Sequence, residues 1–225
     1  MLTAIIVAAG SSRRVGFDKL FVSIAGKSVV EHAIDAFEQA ESIDEIIVVA
    51  RTDRVPEFED ALRSRKKVRR VIAGGEHRQD SVRAGLHTLG EGVTHVAVHD
   101  AARPLVTPEQ IERVFAQSRA HGAAALAEPV TDTLKRADKK LHVTESVDRD
   151  QLYAMQTPQI FERALLEEAY RAVFAKGLRV TDEVSAVERL GRKIVLVPAD
   201  GSNLKITYER DLRLAESILR ERAKK

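Results

Sequence analysis

The chain contains no cysteine, which removes disulfides, thiolate nucleophiles and thiolate metal sites in one step. It is almost as poor in asparagine, with Asn203 the only one among 225 residues. Arginine outnumbers lysine by 24 to 12, so thermolabile side chains are scarce and the composition fits a heat-adapted source. Neither sign of charge is in excess, because 36 basic and 34 acidic side chains leave +2. That balance leaves no electrostatic footprint for nucleic acid, and the basic run at residues 63–70 reads as a solvated helix end rather than a binding patch. No stretch reaches the roughly 18 apolar residues of a membrane span. The start MLTAIIVAAG lacks the basic leader of a signal peptide. The expectation is a cytoplasmic protein with no membrane and no nucleic-acid partner.

What is present is a set of four apolar, β-branched runs: Ala4 to Ala8, Glu45 to Ala50, Val68 to Ala73 and Val93 to Val98. Such runs read as strands buried on both faces, as in a parallel α/β sheet. Helical patterns lie between them. Ser28-Val29-Val30-Glu31 is a capping box that opens an amphipathic stretch to Gln39, and Thr107-Pro108-Glu109-Gln110 is a second, with proline at the first helical position. Asp80 to Leu89 and Phe161 to Ala175 have helical spacing as well. The alternation predicts right-handed crossovers and a ligand beyond the carboxyl ends of the strands. Gly10, Gly74-Gly75 and His99-Asp100 all fall there.

With 44% hydrophobic side chains, the chain reads as one domain over residues 1–225. One excursion interrupts it. Residues 129–150 are charged and β-leaning, with the turn-like Ala137-Asp138-Lys139-Lys140 in their middle, and they read as a hairpin arm. A lone hairpin is marginal in water, so the arm predicts a homodimer in which it packs on a second copy. The chain then returns through Leu152 to Pro158, the helix from Phe161, a strand Lys193 to Val197 and a final helix near Tyr208 to Arg222.

Three strand ends carry chemistry. In the first, the small residues Ala8, Ala9, Gly10, Ser11 and Ser12 leave peptide N–H groups open to an anion, and Arg13, Arg14 and Lys19 follow. Gly10 to Gly16 is one residue too long for a Walker A loop, and no Gly-Lys-Ser/Thr follows. The stretch therefore reads as a nucleoside triphosphate cradle of another kind, with Arg14 and Lys19 gripping the same anion.

The second, Gly74-Gly75-Glu76-His77-Arg78-Gln79-Asp80-Ser81, lets backbone approach a flat base, whose edge peptide groups and Ser81 can read. A plain strand-to-helix turn capped by Asp80 or Ser81 explains it equally well. The third is His99-Asp100-Ala101-Ala102-Arg103-Pro104. Asp100 can hold magnesium or a ribose hydroxyl while Arg103 fixes it by an ion pair, or the two form a structural pair closing the loop. His99 reads as satisfying a backbone group rather than acting as a base.

Taken in order, AAGSSRRVGFDK, GGEHRQDSV, VHDAARP, TDTLKR, VDR, QTPQ, TDE and NLKIT resemble the 2-C-methyl-D-erythritol 4-phosphate cytidylyltransferase family over essentially the whole chain. The resemblance implies a Rossmann-like nucleotidyltransferase fold of the α/β class, a mostly parallel sheet flanked by helices with a projecting β-hairpin arm. It implies a homodimer whose arms complete each other's sites. The implied activity is magnesium-dependent transfer of CMP from CTP to a sugar-alcohol phosphate, releasing pyrophosphate.

By the same resemblance Arg14 and Lys19 stabilise the transition state on the triphosphate. Ala8, Ala9, Gly10, Gly75, Glu76 and Ser81 hold cytidine and ribose, with Asp100 beside the ribose and the metal. Arg103 and Thr133 contact the acceptor, Arg149 and Lys205 position its phosphate, and Thr157 and Thr181 contribute hydroxyls. The chain departs from the family pattern at Val7, at Gln79 and in Thr207-Tyr208-Glu209-Arg210-Asp211, which lacks a proline often found there. A ribitol 5-phosphate cytidylyltransferase would share the nucleotide half. A non-catalytic CTP-binding regulatory protein would keep the first loop and have no need of Arg149 and Lys205.

Overall fold

Seven strands form one sheet, and every crossover between its parallel neighbours runs through a helix. The computed structural model describes residues 1–10, 18–199 and 202–224. In chain order its elements are β1 (Leu2–Ala8), β2 (Ser23–Ile24), β3 (Lys27–Ser28), α1 (Val29–Gln39), β4 (Ile43–Ala50), α2 (Val55–Leu62), β5 (Val68–Ala73), α3 (Arg78–Leu86) and β6 (His95–Asp100). They continue with α4 (Pro108–His121), β7 (Ala123–Pro129), β8 (Leu134–Ala137), β9 (Val143–Val147), β10 (Tyr153–Glu162), α5 (Arg163–Ala175), α6 (Glu183–Glu188), β11 (Val195–Pro198) and α7 (Glu209–Arg222). The strand order is β11-β7-β10-β6-β1-β4-β5. Only β10 runs against the rest, pairing antiparallel with both β6 and β7.

The β-branched runs lie flat between two helical layers because both of their faces are apolar. Ala4 and Ile6 of β1 face a core shared with Ile34 and Phe37 of α1, Ile111 and Val114 of α4 and Leu212 of α7. Ile5, with Ile47 and Val49 of β4, faces Val82 and Leu86 of α3, Leu166 and Val173 of α5 and Val184 of α6. Each of the larger of these side chains, removed from water, contributes about 1.5–3 kcal/mol. Gly85 sets the spacing on the second face, since a Cβ there would stand 2.8 Å from Ile5 Cγ2.

Both expected capping boxes are present. Glu31 N–H donates to Ser28 Oγ while Ser28 N–H donates to Glu31 Oε2, and Thr107 and Gln110 exchange the same pair of bonds. The arm is also present: β8 and β9 pair antiparallel as a separate two-stranded sheet. Leu141 and Val143 near its tip are 84% and 66% exposed.

Two expectations fail at element boundaries. The helix does not start at Phe161, which is fully buried within β10; it starts at Arg163. Pro158 and the polar Gln156, Thr157 and Gln159 disguise β10, yet the ladder with β7 is interrupted between Met155 and Gln159, so the proline deprives that ladder of no bond. The strand placed at Val93 to Val98 runs instead from His95 to Asp100. His99 and Asp100 are therefore in register with Ile6 and Val7 inside the sheet, rather than beyond its edge.

Candidate functional site

The carboxyl ends of β1, β5 and β6 meet at one edge of the sheet, and the local sequence there is shaped by close packing. Gly74 N–H donates to Ala50 O at 2.7 Å. A Cβ on Gly74 would meet Ser81 Oγ at 2.5 Å and Ala9 Cβ at 2.8 Å, and one on Gly75 would meet Asp80 Cβ at 2.3 Å. The double glycine is therefore required to bring the first turn of α3 against β1. Ser81 Oγ accepts from Gly75 N–H at 3.3 Å and donates to His77 O at 3.3 Å. Asp80 returns to His77 N–H at 3.0 Å. The segment is a capped turn, and it leaves Gly75 and Glu76 exposed, as is Gly10.

Asp100, at the end of β6, is the electrostatic centre. Its Oδ1 accepts from Arg78 Nε at 2.9 Å and its Oδ2 from Lys205 Nζ at 2.6 Å. Burial by itself would raise its pKa, but Arg78 and Lys205 together hold it well below the usual carboxylate range. Arg78 is in turn gripped by Glu183, with Nη1 to Oε1 at 2.7 Å and Nη2 to Oε2 at 3.0 Å. Burial works against charge on Arg78, and Glu183 and Asp100 overcome it, keeping the guanidinium pKa above its ordinary value. Glu183 is wholly buried. It accepts a further bond from Tyr170 Oη at 2.9 Å, and its own N–H donates to Gln159 Oε1 at 3.1 Å.

The ion pair expected between Asp100 and Arg103 is not formed. Arg103 N–H closes a turn onto Asp100 O at 2.9 Å, and the side chain leaves in another direction, donating to Asn203 O at 2.8 Å and Met155 O at 3.4 Å. Arg103 Nε is buried with no hydrogen-bond partner among the described residues. Burial lowers the pKa of this guanidinium.

His99 satisfies main chain, as expected. Its Nε2 faces Arg103 O at 3.2 Å and its Nδ1 faces Thr157 Oγ1 at 2.9 Å. A carbonyl can only accept, so Nε2 carries the proton and Nδ1 accepts from Thr157. Thr157 Oγ1 itself accepts from Asp100 N–H at 3.1 Å. Burial pushes the imidazole down to about 3, so the ring is neutral and both nitrogens are committed. The Thr157 hydroxyl proton is likewise used inside the protein.

The remaining expected residues are distributed as follows. Lys19, in the short turn after the first loop, donates from Nζ to Ile206 O. Lys205 and Ile206 share the strap at residues 202–207, so both lysines converge on it. Ala8, at the end of β1, is buried, and Gly75, after β5, is exposed. Thr181 is exposed, 3.4 Å from Ser185 Oγ. Arg149 and Thr133 belong to the arm region and are exposed; Arg149 donates to Thr131 O, tying the two ends of the arm together. Arg14 lies outside the described residues.

Sequence reasoning missed Arg78, Glu183 and Asn203 as parts of the site. Arg78 and Glu183 sit within the quoted GGEHRQDSV and TDE segments, but no spacing rule links residues 105 apart. The available signal was a buried-charge argument, since a carboxylate at a strand end needs a cation and Arg78 lay in the first of those segments.

Among the described residues no group of three or more His, Asp or Glu side chains could hold a metal ion. Asp100 has both oxygens occupied by cations. It could lend an oxygen to a divalent cation only by giving up Lys205 or Arg78, which does not fit a resident metal centre.

A family model described as IspD: 2-C-methyl-D-erythritol 4-phosphate cytidylyltransferase matches residues 2–221. Among curated proteins, the 2-C-methyl-D-erythritol 4-phosphate cytidylyltransferase of Caldanaerobacter subterraneus subsp. tengcongensis is 40% identical over 225 residues, covering 98% of this chain and 99% of its own. The protein of the same name from a Synechococcus species is 41% identical over 220 residues, covering 97% of each. Among solved structures, 4-diphosphocytidyl-2C-methyl-D-erythritol synthase from Anaerococcus prevotii superposes with a TM-score of 0.87 at 31% identity, covering 98% of this chain and 96% of that one.

Proposed function

The chain belongs to the 2-C-methyl-D-erythritol 4-phosphate cytidylyltransferase family, and on that premise we propose how its residues divide the work. The reaction is transfer of CMP from CTP to 2-C-methyl-D-erythritol 4-phosphate, giving 4-diphosphocytidyl-2-C-methyl-D-erythritol and pyrophosphate for isoprenoid precursor synthesis. The observation that carries the assignment of roles is Asp100, clamped between Arg78 of α3 and Lys205 of the strap.

A phosphate monoester has its second pKa near 6, so at neutral pH the acceptor is already largely a dianionic nucleophile and needs no general base. This agrees with His99, which is neutral and fully bonded. The barrier lies in bringing one anion onto another, and fixed cations solve it by positioning and by neutralising charge. Cytidine lies along Ala8, Ala9, Gly10, Gly75 and Glu76, where the backbone is accessible, with Ser81 shaping the turn and Asp100 beside the ribose. Arg14 and Lys19 hold the triphosphate and its leaving pyrophosphate.

On the acceptor side, Lys205 leaves Asp100 for the phosphate, and Arg103 offers its unpartnered Nε, a buried donor whose desolvation costs about 1–3 kcal/mol until it is satisfied. Arg149, Thr133 and Thr181 contact the acceptor at the surface of the site, and Thr157 holds Asp100 in register beneath it. Magnesium bound to the triphosphate supplies further neutralisation of its oxygens. The arm packs on a second copy, giving a homodimer in which Thr133 completes the neighbouring site. The chain works as a single cytoplasmic nucleotidyltransferase domain.

Pyrophosphate release from CTP and Mg²⁺ tests this reading with 2-C-methyl-D-erythritol 4-phosphate, ribitol 5-phosphate or no acceptor. Turnover is expected only with the first. Release confined to ribitol 5-phosphate would reassign the acceptor, and CTP binding without release in any mixture would overturn the catalytic reading.

A further inference from the structure

The only asparagine in the chain is 1% exposed and lies two residues before Lys205. Its Nδ2 donates to two acceptors on β10, Gln156 Oε1 at 3.0 Å and Thr157 O at 2.9 Å. Both are oxygens that only accept in this network, because Gln156 Nε2 is already spent on Glu128 Oε2 at 2.9 Å; this fixes the orientation of the Asn203 amide. The Asn203 main-chain carbonyl accepts from Arg103 Nη1 at 2.8 Å. Three residues further on, Ile206 is fully buried and its N–H donates to Ala102 O at 2.8 Å.

Lys205 is thus suspended between two anchors, Asn203 and Ile206, on a strap that has neither helical nor strand bonds of its own. Ile206 can be held by many apolar side chains. The anchor at residue 203 needs two side-chain donors at the right reach, and aspartate of the same size would instead set an anion against two acceptors. Serine would be too short to span both.

We propose that Asn203 is a positioning residue for the acceptor side of the reaction, setting the height of Lys205 above Asp100 and, through its carbonyl, the direction of Arg103. The inference rests on the reading that Lys205 positions the acceptor phosphate. Asn203 itself touches neither substrate. Its loss therefore acts through Lys205 and Arg103 on the acceptor, while Lys19 meets the strap at Ile206, which the bond to Ala102 O holds separately.

The test is a double-mutant cycle of Asn203→Ser and Lys205→Ala, with initial rates varied in each substrate, CTP affinity by calorimetry and melting midpoints for all four proteins. Asn203→Ser is expected to lower kcat/KM for the acceptor about tenfold or more, as small misplacements of a catalytic group do, with CTP affinity changed less than about twofold. In the Lys205→Ala background the same substitution should cost little more, because residues acting as a unit are not additive. Asn203→Asp, which preserves volume, should reproduce the acceptor defect should the serine variant fold poorly. Independent, multiplying losses in the double variant, or equal loss of CTP affinity, would overturn the inference. Unchanged acceptor kinetics in Lys205→Ala alone would overturn the reading of Lys205, and this inference with it.

Discussion

Arg78 and Glu183, 105 residues apart in the chain, meet in two parallel N–H···O bonds of 2.7 and 3.0 Å. This bidentate geometry holds Arg78 Nε against Asp100, so one carboxylate sets the orientation of the cation that clamps another. Glu183→Gln keeps the shape and removes the charge. Because it leaves a buried guanidinium short of its counter-ion, it should lower stability by about 3 kcal/mol, read as a shift in the urea unfolding midpoint. A midpoint within error of the parent would show that Asp100 alone compensates Arg78.

Lys19 converges on the same strap as Lys205. Lys19→Ala is expected to lose about 2 kcal/mol or more of transition-state stabilisation, expressed mainly in kcat. Steady-state kinetics with both substrates varied checks this, and an unchanged kcat would remove Lys19 from the chemistry.

Gly75→Ala would place a methyl group 2.3 Å from Asp80 Cβ, an atom fixed to the first turn of α3. The turn must open, at about 1–3 kcal/mol as for other overpacked sites, and CTP affinity should fall with it. Gly90→Ala is the control: nothing lies within 4 Å of the added carbon, so its melting midpoint should stay near that of the parent. Equal behaviour of the two variants would contradict the close-approach argument.

His99 gives a pH signature. Its folded pKa of about 3 lies below the unfolded value near 6.5. Between those values the unfolded chain binds one more proton than the folded one, so this residue removes about 1.4 kcal/mol of stability for each unit that pH falls through that window. Above the window it contributes no slope. Asp100 adds a loss at lower pH, since a depressed carboxylate stabilises above its unfolded pKa and that gain fades as pH falls towards the folded value. Unfolding free energies measured from pH 7 to pH 4.5 should fall less steeply in His99→Gln, by close to one proton. Parallel curves would mean that the imidazole is protonated in the folded state.

The arm carries the most exposed large apolar side chain among the described residues, Leu141, with Val143 two residues on. Replacing both by lysine removes apolar surface and adds charge without touching the sheet. Analytical ultracentrifugation should show a dimer for the parent at micromolar concentration and a monomer for the variant. A parent that sediments as a monomer would contradict the role given to the arm.

The parallel half of the sheet was legible because β-branched runs buried on both faces leave little ambiguity, and the hairpin because its turn interrupts two charged strands. β10 was not, since Pro158 and three buried polar side chains imitate a loop. At the site, Asp100 and Lys205 were recognised separately, but their 2.6 Å contact belongs to the fold and not to either local sequence. The expected partner Arg103 was the nearest cation in sequence. In space it was displaced by Arg78 and Lys205, which arrive from α3 and the strap. Thr157 was expected to offer its hydroxyl to the acceptor, whereas its proton goes to His99.

The placement of β10 also governs how the chain can assemble. β1, β4, β5 and β6 are complete by residue 100, yet the strand that covers the open edge of β6 is residues 153–162. A chain emerging from synthesis therefore carries an unpaired parallel edge for more than fifty residues, the kind of long-range pairing that slows folding and invites association with other chains. Thr157 arrives on that late strand, and the strap bearing Asn203 and Lys205 comes later still. These residues, proposed for the acceptor side, are thus among the last to join the fold, so recovery of turnover after dilution from urea should lag behind the return of helix signal.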